Sequence, residues 1–271
     1  MYKNMTRTEL DQAYNNSLAV ANSRIIVDAW VKESAELRNS LTGELDIPYG
    51  TDDFQSFDFF PCEEKSPVII FVHGGFWQMR AKSDFTFIVP YLLKNGFSVA
   101  MLGYTLAPHG KIGDIVADVK NGVSVIDRKV NTSNKNVPLW LIGWSAGAHL
   151  ISMVLNESPA MGGTAISGIY DLEPMRHCYI NDKLQLDEQS VLLNSPINRV
   201  VSQAKTLDLI VGGDELPEMI AQTQDFNKYR EKNHGVGEFN MISEKNHYTI
   251  FDVITHEASP LFKRIHKALD K

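Results

Sequence analysis

Ser145 stands in Gly143-Trp144-Ser145-Ala146-Gly147, directly after the apolar run Leu139-Trp140-Leu141-Ile142 and directly before a helix-forming run over residues 146–155. A serine on a sharp strand-to-helix turn has its hydroxyl held out at the strand end, and small flanking residues leave room for the bend. That hydroxyl needs a base. Two later apolar runs end in suitable groups: Leu207-Asp208-Leu209-Ile210-Val211 leads through Gly212-Gly213 to Asp214-Glu215, and the run from Phe239 leads to His247-Tyr248. A neutral imidazole takes a serine proton near pH 7 and returns it to a leaving group, while a carboxylate fixes the ring's tautomer and stabilises the imidazolium. Behind a turn of this kind the partners follow in the order serine, acid, histidine. His247 fits as base, and spacing alone leaves both Asp214 and Glu215 open as the acid. His149 falls inside the helix after the serine. His109, His177, His234, His256 and His266 fall off the required loop and are expected to be structural or solvated.

Upstream, Val68-Ile69-Ile70-Phe71-Val72 runs straight into His73-Gly74-Gly75-Phe76-Trp77. Paired glycines let backbone amides approach a substrate oxygen without a Cβ in the way. The amides of Gly75 and Phe76, with that of Ala146 at the helix start, are expected to hold a tetrahedral oxyanion. His73 is expected to brace this loop and not to act as a base. Trp77, Trp144, Tyr170 and Tyr248 are expected near the site, where with Phe76 they would pack an aromatic substrate, although aromatic residues serve cores more often than ligands.

These loops need a frame. Short β-like runs at residues 55–60, 68–72, 98–102, 139–142, 164–169, 207–211 and 238–242 alternate with helical stretches at 84–95, 113–130, 146–155 and 218–233. Strands alternating with helices imply a mainly parallel sheet, and near-continuous apolar runs imply strands covered on both faces. Residues 8–41 place Leu10, Tyr14, Leu18, Ile25, Ile26, Ala29 and Trp30 mainly at helical spacing, so residues 1–42 read as an N-terminal helical extension. Residues 43–50, with Gly, Asp and Pro, break that pattern. Residues 170–206 depart from the alternation and are expected to form an insertion or cap that lines the substrate site. No repeat or long linker divides the chain, so residues 1–271 read as a single domain.

With 44% hydrophobic and 22% charged residues the chain has the composition of a globular protein. A formal charge of -7 offers no electrostatic footprint for nucleic acid. Cys62 and Cys178 are too few for a disulfide framework or a thiolate metal site. The N-terminal residues show no apolar signal segment, and no apolar run approaches the roughly 18 residues of a membrane span. The expectations are a cytoplasmic protein, no metal, no cofactor, no membrane or nucleic-acid partner, and a small-molecule substrate. Homodimer formation is left open.

The chain from about Tyr49 onward resembles the kynurenine formamidase (arylformamidase) branch of the α/β hydrolases. The loop His73-Gly74-Gly75-Phe76-Trp77 is similar to that branch's H-G-G-x-W signature. Gly103-Tyr104-Thr105-Leu106-Ala107-Pro108, Ser145-Ala146-Gly147-Ala148-His149-Leu150, Ser167-Gly168-Ile169-Tyr170-Asp171-Leu172 and Asn194-Ser195-Pro196 are similar to further blocks. The branch pattern acid-x-Pro-Glu followed by Gln matches Glu215-Leu216-Pro217-Glu218 with Gln222, so the resemblance implies Glu215 as the acid, with Asp214 in reserve. Many members carry Asp there, and the longer Glu still delivers a carboxylate. The resemblance implies the α/β-hydrolase fold and cofactor-free hydrolysis of N-formyl-L-kynurenine to formate and kynurenine. A carboxylesterase for small acyl or aryl esters and a non-catalytic binding protein on the same fold are the competing expectations.

Overall fold

Every residue of Val68–Val72, Ser98–Leu102 and Leu139–Trp144 is buried. Strands buried whole need cover on both faces, and the two faces of the sheet carry separate cores. The computed structural model describes residues 2–132, 136–199, 204–256 and 259–270. Its sheet has eight strands in the order β1-β2-β4-β3-β5-β6-β7-β8. They are β1 Glu44–Pro48, β2 Ser56–Phe60, β3 Val68–Val72, β4 Ser98–Leu102, β5 Leu139–Trp144, β6 Gly162–Ile166, β7 Thr206–Gly212 and β8 Phe239–Ile242. β1 and β4 flank β2 antiparallel, and all remaining pairs are parallel.

The helices are α1 Arg7–Ala13, α2 Asn16–Ala19, α3 Ser23–Ser40, α4 Val89–Lys94, α5 Ile112–Val130, α6 Ala146–Val154, α7 Glu173–Arg176, α8 Asn181–Leu184, α9 Glu188–Asn194, α10 Pro217–Lys232, α11 Asp252–Thr255 and α12 Pro260–Leu269. Strand residues alternate between faces. Val68, Ile70 and Val72 pack with Val119 of α5, Ile151 of α6 and Met219 of α10. Ile69 and Phe71 pack on the other side with Val27 of α3, Leu92 of α4 and Ile265 of α12. The sheet is thus the middle of three layers, the arrangement expected of an α/β hydrolase.

The departures from expectation have local causes. β6 stops at Ile166 because Ser167 takes φ 54° and turns the chain out of the sheet. The expected helix at 84–95 is a 3-10 stretch Lys82–Ile88 followed by α4, which starts with Pro at its first turn. β1 lies where only a break is expected: it is a bulged edge strand, mostly exposed, and so lacks an apolar alternation to read. α11 and α12 were not anticipated from the sequence.

The N-terminal residues form three helices instead of one run, and α3 lies against the sheet layer. A charge cluster around the buried Asp58 fastens it. Arg38 Nε donates to Asp58 at 2.8 Å, and Lys82 Nζ reaches Asp46 and Asp58 at 2.6 Å each, with the Asp58 side chain fully buried. α1 begins with a capping box in which Thr6 and Glu9 satisfy each other's amides. The insertion contains α7, α8, α9 and a 3-10 turn Pro196–Asn198, and residues 200–203 of the expected cap lie outside the described residues. Among the described residues no helix is long and apolar enough to cross a membrane. Nor does any group of three His, Cys, Asp or Glu stand placed to hold a metal ion.

Candidate active site

β5 ends and α6 begins at Ser145, whose φ of 56° and ψ of -118° lie in a region L residues rarely occupy. Such a conformation costs of order 1–3 kcal/mol and persists only where the surroundings fix it. They do so here: the Ser145 amide donates to Ile166 O at 2.8 Å, and α6 presses on the end of β3. A Cβ at Gly147 would stand 1.9 Å from Val72 O, so the second glycine of the motif is a packing requirement.

The carboxyl ends of β5, β7 and β8 then bring three side chains together. His247 Nε2 lies 3.1 Å from Ser145 Oγ, and His247 Nδ1 lies 2.7 Å from Glu215 Oε2. The other carboxylate oxygen, Oε1, accepts the Gly212 amide at 2.8 Å and the Ser167 hydroxyl at 2.5 Å. A carboxylate can only accept, so the ring proton sits on Nδ1 and leaves Nε2 free to accept from Ser145. The Glu215 side chain is fully buried and that of His247 nearly so. Asp214 is exposed, and among the described residues its amide donates to Lys245 O at 3.0 Å while its carboxylate meets no partner near His247. Glu215, not Asp214, therefore meets the imidazole. The histidine loop is held by Asn246 Oδ1, which accepts the amides of Tyr248 and Thr249, and by Trp144 Nε1, which donates to His247 O at 3.0 Å.

The loop after β3 faces the same point. Gly75 has φ 118°, and a Cβ there would stand 2.1 Å from Met79 O, which explains a glycine at this turn. Gly75 O accepts the amides of Gln78 and Met79, while the amides of Gly75 and Phe76 donate to no carbonyl among the described residues. His73 braces the loop as expected: it is buried, stacks on Tyr104 at 4.3 Å between centroids, and Tyr104 Oη donates to His73 O at 2.8 Å. Burial pushes the His73 imidazole down to about 4, so it remains neutral.

Ser145, His247, Gly75 and Phe76 share a cavity of about 160 Å³. Trp144 and Tyr248 line it. Trp77 and Tyr170 do not. Trp77 is fully buried and donates its indole N–H to His149 Nδ1 at 3.2 Å; Tyr170 is fully buried and stacks on Phe226 at 4.3 Å. Both expectations fail because partners behind the loops claim these rings, a hydrogen bond for Trp77 and ring stacking for Tyr170. Ala146 is buried at the first position of α6, where an amide has no intrahelical carbonyl to meet. The described residues of the insertion do not line the cavity either. It braces the loop from outside, with Gln78 Nε2 donating to Ile180 O at 2.6 Å.

The opposite wall comes from the N-terminal helices, through Asn16, Ser17, Ser23, Val27 and Trp30. Trp30 packs against Phe87, Phe251 and Trp144, and Ser17 Oγ lies 2.9 Å from Tyr248 Oη. Sequence reasoning missed this wall, because a Trp on an amphipathic helix signals only burial. It also missed Ser167, whose one signal is a serine at a strand end beside a glycine.

The comparisons with known proteins fall on this framework. The family described as BD-FAE matches residues 60–210. The kynurenine formamidase of Danio rerio is 32% identical, with 100% of this chain and 99% of that protein covered. The kynurenine formamidase of Salmo salar is 31% identical over 87% of this chain and 86% of its own length. Among solved structures, a candidate thioesterase from Silicibacter sp. TM1040 is 27% identical, with a TM-score of 0.84 over 95% of this chain and 99% of that one.

The chain belongs to the kynurenine formamidase family. It is a hydrolase of the α/β-hydrolase fold, and the blocks that resemble kynurenine formamidases now have physical partners. His149, buried in α6, accepts from Trp77 at Nδ1 and donates from Nε2 to Asn194 O at 2.7 Å, so three separate blocks form one buried chain. Burial brings the His149 imidazole down to about 4. Gln222 Oε1 accepts the amides of Tyr170 and Asp171 at 2.8 Å each, and its Nε2 donates to Tyr14 Oη at 3.2 Å. His149 and Gln222 thus fasten loops of these blocks to one another.

Proposed function

We propose that this protein is a serine hydrolase that cleaves N-formyl-L-kynurenine, or a related aryl formamide, to formate and the free amine, with Ser145, His247 and Glu215 as its triad. The observation that carries the mechanism is the continuous hydrogen-bonded path from Ser145 Oγ through both ring nitrogens of His247 to Glu215. Ser145 Oγ attacks the formyl carbon while His247 Nε2 takes its proton. Glu215 keeps the Nδ1 proton and stabilises the imidazolium. The amides of Gly75, Phe76 and Ala146, with the positive end of α6, meet the developing oxyanion. Collapse breaks the C–N bond, and Nε2 returns its proton to the departing amine. A water deprotonated by the same nitrogen then attacks formyl-Ser145, releasing formate and restoring the serine hydroxyl.

Cavity size and chemistry support the substrate class. A space near 150 Å³ admits one benzene-sized ring, and this cavity of about 160 Å³ is walled by Trp30, Phe76, Phe85, Trp144 and Tyr248. An aromatic group with the smallest of acyl groups suits it. Similarity to two kynurenine formamidases, over the whole chain for one and most of it for the other, points the same way. We infer further that the enzyme works in the cytoplasm, without metal or cofactor.

A second reading, an esterase for small acyl or aryl esters, is favoured by the likeness to a candidate thioesterase. The same triad serves both bonds. Turnover of N-formylkynurenine beside p-nitrophenyl acetate separates them: cleavage of the ester alone defeats the formamidase assignment. Failure of a fluorophosphonate probe to label Ser145 would sink both and leave a binding protein.

A further inference from the structure

We propose that Asn16 selects the substrate: its side-chain amide hydrogen-bonds an acceptor oxygen on the aromatic leaving group, a carbonyl or carboxylate apart from the bond that is cut. The proposal deepens the serine-hydrolase reading and rests on it. It starts from the polar groups that α2 and the start of α3 bring to the cavity wall. Ser17 Oγ is paired with Tyr248 Oη at 2.9 Å, and Ser23 Oγ donates to Ser17 O at 2.8 Å. Asn16 differs. It is 2% exposed, it lines the cavity that holds Ser145 and His247, and its Nδ2 has no hydrogen-bond partner among the described residues.

Buried side-chain N–H groups in native proteins are nearly always paired, so a donor left unpaired at the wall of a reaction cavity is a place for a ligand atom. An amide N–H only donates, so the complementary atom is an oxygen acceptor. The scissile carbonyl is not that atom, because the amides of Gly75, Phe76 and Ala146 are assigned to it. Its place is instead on the remainder of the substrate, the aromatic part for which the other wall residues are suited. The chain on either side of Asn16 is also held in position. On one side Tyr14 Oη accepts from Gln222 Nε2, on the other Ser17 meets Tyr248, and Asn15 Oδ1 caps the turn through the Leu18 amide at 3.1 Å. A donor carried on a segment fixed at both flanks contributes direction as well as affinity.

The test uses two matched series, formanilides and phenyl acetates, each unsubstituted or carrying an acetyl or a carboxyl group at the ortho, meta or para position. For the native enzyme, Asn16→Ala and Asn16→Asp, the readout is kcat/KM on each substituted compound divided by kcat/KM on its unsubstituted parent. This ratio cancels the fraction of enzyme correctly folded, and comparing enzymes cancels the substituent's own electronic effect. Asn16→Ala is expected to lower the ratio about tenfold for at least one isomer, the size of one hydrogen bond lost in a dry pocket. Asn16→Asp, which sets an acceptor against an acceptor, is expected to lower it further for the carboxyl compound than for the acetyl one if a carboxylate is the natural partner. A larger loss in the acetyl compounds points to a carbonyl. Ratios equal within twofold for all three enzymes, in every isomer of both series, overturn the proposal. Should acetates be cut and formanilides not, the formamidase reading fails while the acetate ratios still decide Asn16. No turnover of either series by the native enzyme overturns both.

Discussion

The cavity has two sides of different origin. One is the carboxyl edge of the sheet, where Ser145, Glu215, His247 and the loop of Gly75 follow strand ends directly. The other is the wall of α2 and α3, which reaches the cavity through Ser17, Asn16 and Trp30. At the edge, each group is delivered by its own strand, so position in sequence predicts position in space. At the wall, position depends on what the helices pack against. The proposed chemistry lies at the edge and the proposed selectivity at the wall, and that division is open to experiment.

The largest expected effects test the edge. Ser145→Ala and His247→Ala should each lower kcat by about five orders of magnitude, since a serine and its base act as one unit. Steady-state rates on a formanilide check this. A loss below a hundredfold in either variant means that another group carries the reaction, and the edge then loses its claim to the chemistry.

Next comes the acid. Glu215→Ala should lower kcat by roughly a thousandfold or more, because the imidazolium loses its counter-charge and the ring its fixed tautomer. Asp214→Ala should change it by less than about twofold, since surface substitutions away from such contacts do little. Rates of the two variants measured side by side decide the assignment, and the reverse order reassigns the acid.

Most of this edge is legible in the sequence for a physical reason. A serine that must turn sharply needs small neighbours, and the turn must lie between a buried strand and a helix, so local residues report it. The choice between Asp214 and Glu215 is not legible from spacing, because adjacent residues at a strand end point different ways. It takes the closed loop, with Asp214 turned out to solvent and Glu215 under Gly212, to separate them. Trp77 and Tyr170 mislead because an aromatic ring near a site carries no local mark of which way it faces. The wall is illegible for the same reason in stronger form: Leu18 and Ile25, equally apolar at helical spacing, are 79% and 73% exposed. Spacing identifies a helix without showing which residues it buries.

A smaller effect concerns the two buried imidazoles that support the edge. His73 and His149 sit at about 4, pushed below the ordinary 6.5 by burial. Well above pH 6.5 both are neutral folded or unfolded, and they add no pH dependence. Between pH 6.5 and 4 the unfolded chain binds protons that the folded one does not, so stability falls as pH falls, by up to about 1.4 kcal/mol per pH unit for each. From pH 6.5 to 5.5 the unfolded rings go from half to about nine-tenths protonated, so the loss is about 1 kcal/mol for each and about 2 kcal/mol in total. Urea unfolding at these two values reads it out, and His149→Gln should remove about half of the slope. Equal midpoints at both values rule out neutral buried rings behind the edge.

The smallest effects set one hydroxyl from each side against the other. Ser167 donates to Glu215 Oε1, and Ser17 is paired with Tyr248 Oη. Removing the Ser167 hydroxyl takes a charge-assisted bond from the acid, while Gly212 still donates to the same oxygen, so Ser167→Ala should lower kcat about tenfold with little change in KM. Removing the Ser17 hydroxyl frees a cavity-lining ring without touching the triad. Ser17→Ala should therefore raise KM about threefold and leave kcat within about twofold, as for a lost neutral hydrogen bond. Both variants are read on one substrate under saturating and limiting conditions. If Ser17→Ala instead lowers kcat as much as Ser167→Ala does, the wall holds His247 through Tyr248, and binding and chemistry are not divided between the two sides.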